Sequence, residues 1–159
     1  MKKSDRFYNV ALLVLALAIV FVVVYKFVLN RPAGIEKPRI ENPQEIAVAT
    51  LDGGNIKLSD LIEKEKECYF LFFELTNCQS CIYKGVVELE TLEKNGKKCF
   101  GAAIHDWPDE IKGWSHNYTL KTFVVIKKVA YYEHMHAPYL PVLIKFIDGE
   151  VHSYKYITP

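Results

Sequence analysis

The chain has 159 residues, with 20 lysines and arginines against 19 aspartates and glutamates, so its formal net charge is +1. This length accommodates one domain with an accessory segment, and the near balance of charge offers no electrostatic basis for a nucleic-acid partner. Four cysteines are too few for a disulfide-dense scaffold, so their positions are more informative than their number.

The N-terminal part of the chain combines a short basic segment, residues 1–6, with an apolar segment, residues 7–29. Nineteen residues from Phe7 to Tyr25 carry no formal charge, and at about 1.5 Å per residue they can cross a hydrocarbon core of about 30 Å. A cleaved signal peptide is the alternative, but it would have a shorter apolar region followed by small residues. The pattern favours an uncleaved single transmembrane anchor, with a cytoplasmic N-terminus and everything after Asn30 on the outer side of the membrane.

Residues 30–43 contain three prolines and predict an extended linker, so the soluble domain is predicted to span residues 44–159. Within it, strand and helix patterns alternate, which predicts an α/β fold with a parallel core and an antiparallel C-terminal hairpin. The predicted strands are 46–51, 56–58, 68–75, 99–104, 122–126, 142–147 and 150–157. The predicted helices are 60–66 (capped by Ser59), 81–94, a helix opening at 106–109 and reaching about 118, and 129–135.

Cys78 and Cys81 form a Cys-x-x-Cys motif between a buried strand and a helix. In that position the motif predicts redox chemistry. The free N–H groups and the dipole of the first helical turn favour a thiolate at Cys78, while Cys81 would lie deeper and act as the resolving thiol. A structural zinc site is the alternative, but it needs a second pair of ligands at suitable spacing, which Cys68 and Cys99 do not form.

Three motifs in order show a resemblance to a known family. They are the strand-turn segment 51–61, which ends in Leu58-Ser59-Asp60-Leu61, the strand and redox turn 72–81, and the segment 139–150 with Pro141 before a strand and Asp148-Gly149 after it. Together they resemble the membrane-anchored thioredoxin-like thiol–disulfide oxidoreductases of the TlpA/ResA type, in the AhpC/TSA-related branch of the thioredoxin fold. The resemblance covers roughly residues 46–157. It implies a thioredoxin-like fold, a central mixed sheet flanked by helices with an N-terminal β-hairpin extension.

The resemblance also implies a site and partners. The Leu140–Pro141 bond would be cis, and its backbone would form the floor on which a partner's extended peptide docks beside Cys78 and Cys81. The redox-active Cys78–Cys81 disulfide would need no other cofactor. Partners would be protein thiols and disulfides, with a membrane-embedded electron donor, and the resemblance favours the reductase direction on apocytochrome c or copper-site cysteines.

The chain departs from this family where related proteins place acids near the resolving thiol. Phe72 stands six residues before the first cysteine, and Lys84 three residues after the second. Glu74 shares a side of its predicted strand with Phe72, so it is a candidate for proton transfer at the site. A solvated carboxylate at the end of the strand is the alternative.

Cys68 and Cys99 each open a buried strand, and in a thioredoxin-like sheet these strands are parallel neighbours. Neighbouring strands lie about 4.8 Å apart, a separation that a disulfide can span if the side chains face each other. A structural disulfide is one hypothesis, and two buried free thiols are the other.

Two further functions stay open. His134 and His136 precede Pro141, and with Cys78 and Cys81 they would offer nitrogen and sulfur ligands that suit Cu(I). The chain would then be a copper metallochaperone, although copper chaperones related to this fold have three residues between their cysteines. A thiol peroxidase is the second alternative, because the domain type borders on peroxiredoxins.

Overall fold

Seven strands form one mixed sheet in residues 36–159, the part of the chain that the computed structural model describes. In chain order the elements are β1 (Arg39–Ile40), β2 (Ala47–Thr50), β3 (Asn55–Lys57), α1 (Leu58–Glu63), β4 (Glu67–Phe73), α2 (Gln79–Lys94), β5 (Lys98–Ile104), α3 (Pro108–Ser115), β6 (Phe123–Ile126), α4 (Lys128–His134), β7 (Met135–His136), β8 (Val142–Ile147) and β9 (Glu150–Tyr156).

The strand order is β3-β2-β6-β5-β4-β8-β9. Strands β4, β5 and β6 are parallel, while the hairpins β2–β3 and β8–β9 join the two sides in antiparallel orientation. The predicted mixed sheet with an N-terminal hairpin is confirmed. Asp148 and Gly149 both have positive φ, 50° and 81°, as a two-residue type I′ hairpin turn requires.

The sheet separates two hydrophobic cores, and β4 contributes to both. Phe70 and Phe72 face the first core, whereas Leu71 and Phe73 face the second, because successive side chains of a strand point to opposite faces. Burial on both faces explains the nearly continuous apolar run of this strand. On the second face α2 approaches closely at Gly85, where an added Cβ would lie 2.7 Å from the Leu71 side chain.

The register of β4 and β5 contradicts the hypothesis of a Cys68–Cys99 disulfide and agrees with the alternative of two buried free thiols. Cys99 pairs with Tyr69, so Cys68 and Cys99 are offset by one residue. A one-residue offset puts the two side chains on opposite faces of the sheet, and Cys68 indeed packs in the first core and Cys99 in the second. Both are free, buried thiols, and burial raises the pKa of Cys68 to about 12 and that of Cys99 to about 11.

Several predicted helix ends differ from the structure, and two of the differences have a visible cause. Ser59 does not cap α1, because Lys57 is the N-cap residue and Ser59 lies inside the helix, buried, with its N–H donating to the carbonyl of Pro43. Helix α3 ends at Ser115 rather than near Tyr118. Asn117 ends it by donating from its backbone and its side-chain amide to the Trp114 carbonyl, so a side chain satisfies a helix-terminal acceptor.

The second half of the predicted linker is attached to the domain. Arg39 and Ile40 form β1, which pairs with β7 in a two-stranded antiparallel sheet, and the Glu36 carbonyl accepts a hydrogen bond of 3.0 Å from the Tyr156 hydroxyl. Within the described residues, the compact unit thus includes residues 36–43, which the sequence assigned to the linker. The predicted N-terminus 1–6 and anchor 7–29 lie outside the described residues. Among residues 36–159, no helix has both the length and the apolar character to cross a membrane.

A charged cluster lies where β4 begins. The Glu67 carboxylate accepts hydrogen bonds from the Tyr69 hydroxyl at 2.7 Å, and from the amino groups of Lys145 and Lys97, each at 3.1 Å. These hydrogen bonds, with that of Tyr69 contributing most, lower the pKa of Glu67 from 4.5 to about 2.

Candidate redox site at the end of the central strand

A disulfide between Cys78 and Cys81 occupies the end of the sheet where β4 stops and α2 begins. The two Cα atoms are 5.2 Å apart. Cys78 is exposed, whereas Cys81 is only 2% exposed and packs in the second core. The partner of an exchange reaction can therefore reach the first sulfur, and the second is shielded by the fold.

The turn before Cys78 is held by reciprocal hydrogen bonds. The Asn77 side-chain oxygen accepts from the Glu74 N–H at 2.8 Å, and the Asn77 N–H donates to the Glu74 carbonyl at 3.0 Å. An asparagine can close a turn in this way because its short side chain reaches the backbone of nearby residues. Asn77 thus has a structural role in the turn that precedes the cysteine pair.

Cys78 is the N-cap residue of α2, which begins at Gln79, two residues earlier than predicted. Its carbonyl accepts from the N–H groups of Cys81 and Ile82, both at 3.0 Å. The first N–H groups of a helix have no acceptor inside the helix and carry its positive dipole end, which favours a thiolate nearby. The Ser80 hydroxyl lies 3.1 Å from the Cys78 sulfur and can donate a further hydrogen bond to that thiolate.

Glu74, the predicted proton-transfer candidate, is tied to two other side chains. One carboxylate oxygen accepts from the Tyr132 hydroxyl at 2.6 Å, and the other accepts from the Thr76 hydroxyl at 3.1 Å. In residues 36–159 no hydrogen bond joins this carboxylate to either Cys78 or Cys81. The Glu74 carboxylate therefore links the redox turn to α4 through the Tyr132 hydroxyl.

The two positions at which the resembled family carries acids, Phe72 and Lys84 in this chain, have different surroundings. Phe72 is fully buried in the first core, on the opposite face of the sheet from the second core that contains Cys81. Lys84 is exposed, and its amino group donates to the Thr158 carbonyl at 3.4 Å. Beside Phe72 lies the buried Tyr131 ring, with a centroid distance of 6.4 Å. Among the described residues, the Tyr131 hydroxyl has no hydrogen-bond partner.

Pro141 lies at the same end of the sheet as the disulfide. Val142 pairs with Phe72 across the β4–β8 register, which brings the preceding Pro141 opposite Phe73. The Leu140–Pro141 bond is cis, and Pro141 is buried, with its carbonyl accepting from the Ile157 N–H at 2.9 Å. Leu140 is half-buried against the first core. The structure thus places Cys78, Cys81, Leu140 and Pro141 at the same end of the sheet.

The two histidines of the copper hypothesis face glutamates instead. The Nε2 atom of His134 lies 3.7 Å from a Glu45 carboxylate oxygen, and that of His136 lies 3.8 Å from a Glu41 carboxylate oxygen. In the described part of the chain, no three His, Cys, Asp or Glu side chains are grouped so that they could hold a metal ion. The described residues therefore do not bring together the alternative Cu(I) ligand set of Cys78, Cys81, His134 and His136.

Sequence reasoning missed two side chains that touch the site, Tyr132 and Ser80. Ser80 lies between the two cysteines, so its hydroxyl could have been identified from the sequence as a possible hydrogen-bond donor to Cys78. Tyr132 is 58 residues away from Glu74 in the chain, and no local pattern marks such a distant contact.

No protein-family model and no curated protein matches this chain. Solved structures do match. A thiol:disulfide interchange protein from Bacteroides sp. is 14% identical, with a TM-score of 0.58, over 76% of this chain and 82% of that chain. A secreted disulfide oxidoreductase from Mycobacterium tuberculosis is 17% identical, with a TM-score of 0.55, over 73% and 84%. A thioredoxin-like protein from Porphyromonas gingivalis is 15% identical, with a TM-score of 0.57, over 70% and 77%.

Similarity at these identities concerns the fold. The seven-stranded mixed sheet, the Cys-x-x-Cys pair at the start of α2 and these neighbours agree. Residues 36–159 have a thioredoxin-like fold with a disulfide at the end of the central strand.

Proposed function

We propose that this chain is a thiol–disulfide oxidoreductase that reduces disulfides of partner proteins through Cys78 and Cys81. The observation that carries the proposal is the Cys78–Cys81 disulfide at a helix start, with one sulfur exposed and the other buried. An exposed cysteine at the N-terminus of a helix is the arrangement that yields an accessible, stabilised thiolate. Two of the structural neighbours, a disulfide oxidoreductase and a thiol:disulfide interchange protein, support the same chemistry.

The reaction begins with the reduced pair. The Cys78 thiolate attacks one sulfur of the partner's disulfide, so a bond forms between Cys78 and the partner while the partner's own S–S bond breaks and releases a thiolate. Cys81 then loses its proton, and its thiolate attacks the Cys78 sulfur. This step forms the Cys78–Cys81 disulfide and releases the second partner thiolate. Two electrons pass from the pair to the partner, and the protons lost by the pair balance those taken up by the partner's thiolates.

A second dithiol must return two electrons before the next cycle. We assign this role to a membrane-embedded dithiol protein, and we place the domain on the periplasmic side of the inner membrane, tethered by residues 7–29. The support is the uncharged apolar stretch at the N-terminus together with the family resemblance. Apocytochrome c and copper-site cysteines are the substrates that this resemblance favours. The redox disulfide itself would be the sole prosthetic group.

Trapping tests the proposal directly. In a Cys81→Ser variant the mixed disulfide on Cys78 cannot be resolved, so partners should accumulate as conjugates that reducing agent releases. Cys99→Ser is a matched control, because it removes a thiol that lies on the same face of the sheet but far from the redox turn, and it should trap nothing. An insulin-reduction assay on the wild-type chain accompanies the trap. Absence of both conjugates and insulin reduction would refute the proposal.

Two measurements separate the alternatives. A peroxidase would form sulfenic acid at Cys78 with hydrogen peroxide much faster than a free thiol does. A copper chaperone would bind one Cu(I) tightly under anaerobic loading and would show no insulin turnover. In the structure His134 and His136 contact glutamates rather than the cysteine pair, which argues against the copper alternative.

A further inference from the structure

The turn that leads to Cys78 is held from outside by one side chain. Both backbone groups of Glu74, its N–H and its carbonyl, are bonded to Asn77, the residue directly before Cys78. One oxygen of the Glu74 carboxylate accepts from the Thr76 hydroxyl within the turn, and the other accepts from the Tyr132 hydroxyl at 2.6 Å. A restraint on the Glu74 carboxylate therefore also restrains the chain at the point where it reaches Cys78.

Tyr132 belongs to a segment that is itself fixed in the fold. Tyr131 before it and Met135 after it are only 1% and 3% exposed. The first N–H of α4, that of Lys128, donates to the Asp106 carboxylate at 3.2 Å, and β7, directly after α4, pairs with β1. The backbone that carries Tyr132 is thus held in place, although more than half of the side chain is exposed.

No second hydrogen bond within residues 36–159 duplicates this link. The Glu74–Tyr132 bond alone joins the redox turn, residues 74–78, to the segment 128–141. At 2.6 Å it has the length of a hydrogen bond from a hydroxyl to an ionised acceptor, which is stronger than one between neutral groups. The same bond raises the pKa of Tyr132 above its usual value, as expected for a hydroxyl that donates to a carboxylate. Removal of the Tyr132 hydroxyl therefore leaves the turn without this tie to α4.

The restraint matters most when the cysteine pair is reduced. In the oxidised protein the disulfide fixes Cys78, the N-cap residue of α2, to Cys81. In the reduced protein this covalent link is absent, so noncovalent contacts of the turn must keep the Cys78 sulfur beside the first N–H groups of α2 and the Ser80 hydroxyl. Those groups stabilise a thiolate. An interaction that contributes more to the reduced protein than to the oxidised one shifts the equilibrium between the two forms.

We propose that Tyr132 is a positioning residue: through Glu74 it holds Cys78 at the start of α2 in the reduced protein and so favours the thiolate form of that cysteine. In the described residues Tyr132 has no hydrogen bond to either cysteine, so it acts only through the turn. The link makes the pair a slightly weaker reductant and increases the fraction of Cys78 that is present as the attacking thiolate. This inference rests on the proposed function, in which that thiolate starts the exchange.

Three single variants and one double variant separate position from charge. Tyr132→Phe removes the hydroxyl and keeps the ring that packs edge-on against Tyr131 at 5.2 Å. Glu74→Gln keeps an oxygen that can accept from Tyr132 and removes the negative charge. Tyr69→Phe is the matched control, because it also removes a hydroxyl that donates to a carboxylate, that of Glu67 at 2.7 Å, but at the opposite end of β4. The double variant Glu74→Gln/Tyr132→Phe completes a cycle.

Three measurements use the full chain in a nonionic detergent. The first is the pH midpoint of Cys78 alkylation by iodoacetamide in the reduced protein, read from the mass of the peptide that contains Cys78. The second is the equilibrium of the cysteine pair with a dithiothreitol redox buffer, about one pH unit above the wild-type midpoint, where reduced Cys78 is mostly thiolate. The third is amide hydrogen exchange of the Asn77 N–H, which closes the turn on the Glu74 carbonyl.

We expect the alkylation midpoint of Tyr132→Phe to lie about half a pH unit above that of the wild type, the roughly threefold change that a lost, partly exposed hydrogen bond produces. The equilibrium constant for reduction should fall by about 2.5-fold, or ~12 mV. Exchange of the Asn77 N–H in the reduced protein should be about threefold faster. Glu74→Gln should not raise the midpoint, whereas adding Tyr132→Phe to it should again raise it by about half a unit. Tyr69→Phe should match the wild type in all three measurements.

An unmoved midpoint in Tyr132→Phe would overturn the inference, and so would an equal shift in Tyr69→Phe, because it would show a general loss of stability. If Tyr132→Phe has no effect in the Glu74→Gln background, the hydroxyl acts by dispersing the charge of Glu74 rather than by positioning, and the inference fails. None of these measurements needs a partner protein. A wild type that does not reduce insulin would therefore refute the proposed function alone, while the midpoints would still decide the role of Tyr132.

Discussion

Tyr131 and Tyr132 are neighbours in the sequence, but their hydroxyl groups have opposite surroundings. Tyr131 is only 1% exposed, and among the described residues its hydroxyl has no hydrogen-bond partner. Burial raises the pKa of Tyr131 above its usual value, with smaller contributions from Tyr132, Tyr156 and Glu74. Burying a hydroxyl without a partner costs about 1–3 kcal/mol. The Tyr132 hydroxyl, in contrast, donates to the Glu74 carboxylate at 2.6 Å.

We predict that Tyr131→Phe stabilises the domain. The substitution keeps the ring contacts with Phe72 and Tyr132 and removes the unpaired oxygen. The free energy of unfolding should rise by about 1–2 kcal/mol, which corresponds to an increase in Tm of roughly 3–10 °C for a domain of this size. Tyr132→Phe should act in the opposite direction. Because that side chain is more than half exposed, we expect a loss of about 0.5–1 kcal/mol.

Urea unfolding of the oxidised protein, followed by far-ultraviolet circular dichroism, measures both variants. Equal m values would show that the comparison concerns stability rather than the extent of unfolding. If Tyr131→Phe lowers the free energy of unfolding by more than about 0.5 kcal/mol at unchanged m, the hydroxyl has a partner such as a buried water, and the reasoning is refuted.

Three further predictions concern the cysteines and the charged cluster. With buried thiols whose pKa values are about 12 and 11, Cys68 and Cys99 should take up no iodoacetamide at pH 8 in the native oxidised chain. After denaturation without reductant they should take up two equivalents in total, and an uptake of none would restore the disulfide hypothesis. Ser80→Ala removes the hydroxyl that lies 3.1 Å from the Cys78 sulfur, so the midpoint of Cys78 alkylation against pH should move up by about half a unit, and an unmoved midpoint would show that the hydroxyl does not stabilise the thiolate. The pKa of Glu67 is lowered from 4.5 to about 2 in the folded state, so its contribution to stability is present above pH 4.5 and is lost as the pH falls towards 2. The urea midpoint of Glu67→Gln should therefore lie below that of the wild type at pH 6 and converge with it as the pH falls, whereas a gap that does not depend on pH would contradict the assignment.

Local patterns predicted most of the elements. The apolar run before Cys78 became β4, buried on both faces, and Asp148-Gly149 became the turn between β8 and β9. These features depend on hydrophobic periodicity and turn chemistry, which adjacent residues determine. The predicted ends of the helices were less accurate than their positions. Asn117 ends α3 through its hydrogen bonds to Trp114, and Ser59, which was expected to cap α1, lies inside that helix.

The sequence predicted the two cysteines of the candidate site but not the side chains that surround them. Two cysteines three positions apart at a helix start must lie close together whatever the rest of the chain does, so Cys78 and Cys81 could be named from the sequence. The contact between Glu74 and Tyr132 joins residues 58 positions apart, and it changes the interpretation of Glu74 from a free acid to a link between two elements. Long-range contacts of this kind follow from the packing of α4 on the sheet.

Local periodicity, turn residues and spacing were sufficient to predict the seven strands of the main sheet and the four helices in chain order, the redox turn and Pro141. They did not predict which side chains meet, nor the small sheet of β1 and β7, because those contacts form between distant parts of the chain. Cys68 and Cys99 open neighbouring parallel strands, as the sequence indicates, but a one-residue offset in register sends their sulfurs into different cores. The physical reason is the two-residue period of a strand: a shift of one residue moves a side chain to the other face, and no local pattern specifies the register between strands whose faces are both apolar.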